Sequence, residues 1–65
     1  MEKIKCTVQC RNYNHSDYSY IGQKVVVLAF DGCAAICAYK SADGTISIRN
    51  FDIEHLVIDK SEGII

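Results

Sequence analysis

Residues 25–39, VVVLAFDGCAAICAY, read as two strands folded about a tight turn, and both faces of that hairpin are apolar. Asp-Gly between runs of apolar residues is the strongest short hairpin signal, because a type I′ turn needs positive φ at both centres. A small domain buries one face of such a hairpin. Something else must cover the other.

Size sharpens the question. A chain of 65 residues reads as a single domain, 1–65, and buries only about 60% of the surface its unfolded form exposes. Below about 70–80 residues a lone core rarely supplies more than about 3–5 kcal/mol without a disulfide, a metal or a partner subunit. Here 49% of the residues are hydrophobic, more than so short a chain is expected to hide.

The rest of the chain keeps the same two-residue alternation, with turn signals every eight to twelve residues and no proline. That pattern predicts a small all-β sandwich or barrel. KIKCTVQC, residues 3–10, is a half-buried strand with Ile4, Cys6, Val8 and Cys10 on one side. Residues 11–23, RNYNHSDYSYIGQ, read as a broad polar and aromatic loop. KVVVLAF (24–30), CAAICAYK (33–40) and TISIRNF (45–51) follow as strands, with Gly44 in the left-handed position of a three-residue loop. Asp52 is placed to cap one 3₁₀ turn in DIEHL, LVID forms a last strand, and KSEGII reads as a loose tail.

Long loop, three-stranded meander, helical turn and closing strand resemble small SH3-like barrels from about Ile21 to Asp59. The run IGQKVVVLAFDG resembles Tudor-type modules, and the strand–turn–strand ending is similar to the type II dihydrofolate reductases. The resemblance implies a five-stranded antiparallel SH3-like barrel with one 3₁₀ turn before the last strand. It implies no functional residue: the Tudor aromatic cage has no counterpart, and ISIR at 46–49 does not reproduce the pore-lining segment of the reductases.

A two-residue turn at Asp31-Gly32 would pair Phe30 with Cys33, Leu28 with Ala35 and Val26 with Cys37. Val25, Val27, Ala29, Ala34, Ile36 and Ala38 would share the other face. With a three-residue loop at Gly44, Lys40 pairs with Ile46 and Ala38 with Ile48, so Ile46 and Ile48 join that second face, the expected core. A four-residue loop would exchange the faces. Either way Val26, Leu28, Phe30, Cys37 and Tyr39 remain as a surplus apolar face, expected to be an interface between copies or with a partner. The alternative is that residues 11–23 fold over it.

Candidate sites are few. Cys6-x3-Cys10 and Cys33-x3-Cys37 suggest zinc, but residues i and i+4 of a strand lie about 13 Å apart, and zinc needs its sulfurs converging about 2.3 Å from one point. Buried free thiols are expected, with no metal and no cofactor. Tyr13, Tyr18 and Tyr20, set among Asn, Ser, His and Asp, form the best candidate recognition loop. Tyr18 and Tyr20 would face a ligand together if extended; roofing the core is the alternative. Arg49 is the one cation expected near an apolar face, where it would anchor an anion or form an ion pair. His15-Ser16-Asp17 are neighbours in sequence, which is not how a nucleophilic triad is assembled, and His55 is expected solvated on its turn.

Composition narrows the partners. The 7 basic and 8 acidic residues give a formal net charge of −1, with no run of Lys or Arg, so nucleic acid is disfavoured. MEKIKCTVQC lacks the apolar stretch of a signal peptide, no segment is long enough to span a membrane, and a cytoplasmic location is expected. The function these features favour is a small non-enzymatic module acting by protein–protein contacts and self-association, of the kind found among regulators and phage- or plasmid-encoded inhibitors. The competing expectation is a homo-oligomer that binds a small anion, such as a nucleotide, at a subunit junction.

Overall fold

Alternation of apolar and polar side chains builds five strands, in a computed structural model that describes residues 3–59. They are β1 (Ile4–Val8), β2 (Lys24–Asp31), β3 (Ala34–Lys40), β4 (Ile46–Asp52) and β5 (Leu56–Ile58). All neighbours pair antiparallel in the order β4-β3-β2-β1-β5. β4 and β5 are the two edges, so the sheet is open where the sequence led to a closed barrel. The tail expected at 60–65 lies outside the described residues. Among them, no helix is long and apolar enough to cross a membrane.

The 3₁₀ turn at Ile53–His55 forms where expected, because the Asp52 carboxylate accepts from the Glu54 N–H at 3.0 Å and starts it. A second, unexpected one covers Ser16–Tyr20 within the long loop. The 41–45 connection is the expected one: Gly44 has φ +91°, its N–H reaches the Ser41 carbonyl at 2.9 Å, and Lys40 faces Ile46. The Asp43 carboxylate accepts from the Thr45 N–H at 3.0 Å and hydroxyl at 2.7 Å, which lowers its pKa.

The β2–β3 hairpin corrects the expected register. Asp31 pairs with Ala34, so Gly32 and Cys33 are the central turn residues. Gly32 supplies φ +62°, and no non-glycine residue has positive φ among the described residues, which rules out Asp31 as a left-handed centre. Glycine at the first centre is what a type II′ turn needs. A β-bulge then falls between Val27 and Ala29. Beyond it Val27 faces Cys37 and Val25 faces Tyr39. One extra residue exchanges the faces of a strand. The two apolar faces read from the sequence are therefore spliced together at Leu28.

The core is Cys6, Val8, Val25, Ala35, Cys37 and Phe51, with Tyr20, Val27, Tyr39 and Leu56 packed against it. Burying a side chain such as Val8 or Phe51 contributes roughly 1.5–3 kcal/mol. Of the residues expected at an interface, Cys37 is therefore buried and Tyr39 is half-buried against the core. Ile46 and Ile48, expected in the core, stand 66% and 65% exposed on the outer face. Val26 is half-buried on that outer face, while Leu28 and Phe30 are exposed.

Candidate functional site around Asp17

The long loop is pinned at both ends. The Gln9 N–H donates to the His55 carbonyl at 2.7 Å, and the Gly22 N–H donates to the Val8 carbonyl at 2.9 Å. Between them His15 caps the first 3₁₀ turn: its Nδ1 accepts from the Asp17 N–H at 3.0 Å. That turn swings Asp17 inward, onto the end of the sheet where β4 meets the second turn.

Asp17 is a carboxylate with 2% exposure, and it is fully partnered. Arg49 Nη1 donates to Oδ1 at 2.6 Å; Oδ2 accepts from the Asp52 N–H at 3.0 Å and meets His55 Nδ1 at 2.9 Å. Burial alone would raise its pKa, but the bonds from His55, Arg49 and Asp52 and the Arg49 charge outweigh that, lowering it to about 2. Arg49 also donates to Ser16 Oγ at 3.1 Å and to the Asn50 carbonyl at 3.1 Å. Its guanidinium lies over Tyr20 at 4.3 Å and Phe51 at 4.7 Å. Arg49, expected either to anchor an anion or to be paired, is half-buried and ion-paired with Asp17.

His55 continues the line outward. Its Nδ1 faces Asp17, and its Nε2 lies 3.6 Å from Cys10 Sγ. The His15 ring stands edge-on to it, with centroids 4.6 Å apart. The ligating atoms of Cys10, His15 and His55 all lie within 4.8 Å of one another. A groove of about 610 Å³, lined by Cys10, Arg11, Asn12, Glu54 and His55 among others, opens in front of Cys10 and His55. An imidazole held by a carboxylate through Nδ1–H keeps the Nε2 lone pair for a proton or a metal.

The tyrosines separate. Tyr13 and Tyr18 are exposed and meet edge-on, centroids 6.4 Å apart. Tyr20 packs against Tyr39 and Phe51 at 5.7 and 5.4 Å, so it roofs the core. A 3₁₀ turn does not set i and i+2 on one side as a strand would, so Tyr18 and Tyr20 do not form the expected pair. Cys6 and Cys37 are buried free thiols whose pKa values burial raises. Cys33 is exposed at the hairpin turn.

The Cys10–His55–Asp17 line escaped the sequence because its members come from a strand end, a loop and a turn 45 residues further on. One signal did point to it. Arg49 lies on a face shared with apolar residues, where a cation needs an acid, and Asp17 is the one acid within the long loop at 11–23. Compared with known proteins, the chain matches no family model, no curated sequence and no solved structure.

Proposed function

We propose that this chain is a small non-enzymatic, cytoplasmic binding module that acts through protein contacts, and that its outer sheet face is the contact surface. One observation carries the reading: Ile46 and Ile48, 66% and 65% exposed, stand beside Val26 and Ala38 on a face with nothing packed over it among the described residues. Lys5, Lys24 and Lys40 fringe a hollow of about 390 Å³ there, with Val26, Ala38 and Ile46 in its wall. β4 is also a sheet edge. An edge strand with outward isoleucines is a template for pairing with another chain.

The strand order, with a 3₁₀ turn before β5, supports an SH3-like fold for the module. Its first partner is a second copy, laid against the same face, and a regulator or viral inhibitor of a larger assembly is the role that suits its size. The anion-binding alternative loses its anchor, since Arg49 is engaged by Asp17. Sedimentation equilibrium over a wide concentration range tests the reading. Wild type is expected to gain mass with concentration, and Ile48→Glu to stay at single-chain mass with unchanged unfolding. A wild type whose mass never exceeds one chain at any concentration would sink the self-association.

A further inference from the structure

We infer that Cys10, His15 and His55 form a binding site for a divalent transition ion of the zinc class, with Asp17 orienting His55 from behind. The site is independent of the outer face and departs from the sequence-based expectation of no metal.

The geometry supports it at three levels. Tetrahedral zinc, with Zn–S of about 2.3 Å and Zn–N of about 2.0–2.1 Å, sets a ligand sulfur and nitrogen about 3.6 Å apart. Cys10 Sγ and His55 Nε2 are separated by 3.6 Å. Behind His55, Asp17 Oδ2 lies 2.9 Å from Nδ1, and Asp17 is itself fixed by Arg49 and the Asp52 N–H. A carboxylate on the far nitrogen selects the tautomer that offers Nε2 to a metal. In front, Cys10 and His55 line a groove of about 610 Å³ through which an ion can reach them. One sulfur and two imidazoles favour zinc, cobalt or copper over calcium and magnesium, which prefer oxygen.

His15 is the ligand that must adjust. Its Nδ1 accepts from the Asp17 N–H, and a neutral imidazole offers only one lone pair. Binding through either nitrogen therefore gives up that cap bond. Metal uptake is coupled in this way to the Ser16–Tyr20 turn and to Tyr18 on it. Cys10 binds as the thiolate, and its proton passes to solvent.

The test is titration of the reduced full chain with Co²⁺ alone, followed by absorbance and tyrosine fluorescence. The expected result is one ion per chain, a thiolate-to-cobalt charge-transfer band, and displacement by Zn²⁺. Cys10→Ser should abolish the band. His15→Asn keeps a side-chain acceptor for the cap but lacks the imidazole, and should weaken affinity by about 10-fold or more. Cys33→Ser, which removes the exposed thiol, should bind as wild type. Circular dichroism establishes that each variant is folded. Folded wild type that takes up no stoichiometric Co²⁺ would overturn the assignment, as would a thiolate band that survives Cys10→Ser and disappears in Cys33→Ser.

Discussion

Arg49 Nη1 and Asp17 Oδ1 meet at 2.6 Å across 32 residues of sequence, and that contact ties the long loop to β4. The pair is unequal: the Asp17 side chain is 2% exposed and that of Arg49 is 23% exposed. Asp17→Asn would leave the guanidinium and the Asp52 N–H without their charged acceptor. Removing one partner of a fully buried pair costs about 3–5 kcal/mol, and the partial exposure of Arg49 reduces that to about 2–3 kcal/mol here. Urea unfolding of Asp17→Asn, Arg49→Met and the double variant measures it. The double variant should be less destabilised than the two single losses added together.

The same carboxylate makes stability depend on acid. Its pKa is lowered from 3.8 to about 2, so the folded state holds the charged form more tightly than the unfolded chain does. The resulting stabilisation, about 2 kcal/mol, is fully present above pH 4 and is lost as pH falls from there through about 2. Urea midpoints measured between pH 5 and 2 should fall steeply in wild type. Asp17→Asn should show a shallower decline over the same window, and a parallel decline would show that other carboxyls carry the effect.

Tyr18 and Tyr20 are two residues apart and should behave oppositely. Tyr20 touches Tyr39, Phe51 and the Arg49 guanidinium, so Tyr20→Ala is expected to cost about 2–4 kcal/mol, somewhat under the price of a fully buried aromatic. Tyr18 is exposed and meets only Tyr13 among the aromatic rings, so Tyr18→Ala should stay within about 0.5 kcal/mol of wild type. Thermal unfolding of the two variants separates them. Equal losses would mean that Tyr20 does not roof the core.

What the sequence disclosed and what it hid divide at Leu28. Alternation and turn chemistry located all five strands, the Asp52 cap and the loop at Gly44, because each is decided by residues near in sequence. The assignment of faces failed because it rests on counting residues from a turn. Setting the turn one residue later shifts the pairing by two and keeps the faces, whereas the bulge between Val27 and Ala29 shifts it by one and exchanges them. A bulge leaves little trace in an apolar run such as VVVLAF, where every residue suits either face. The site was hidden for a related reason. His15, Asp17 and His55 look like solvated polar residues until a 3₁₀ turn directs one of them inward.

The hairpin turn offers the sharpest check on that account. Gly32 has φ +62°, and a Cβ built there meets nothing within 4 Å, so any loss on substitution comes from backbone conformation and not from crowding. Gly32→Ala should cost about 1–2 kcal/mol, the usual penalty for an L residue in the left-handed region. Gly32→Asn should cost less, since asparagine enters that region more readily. If Asp31 were instead a left-handed centre, Asp31→Val would be the costly change, because a β-branched residue is poorly tolerated there. With Asp31 the last residue of β2, that substitution should be nearly neutral in urea unfolding while Gly32→Ala is not.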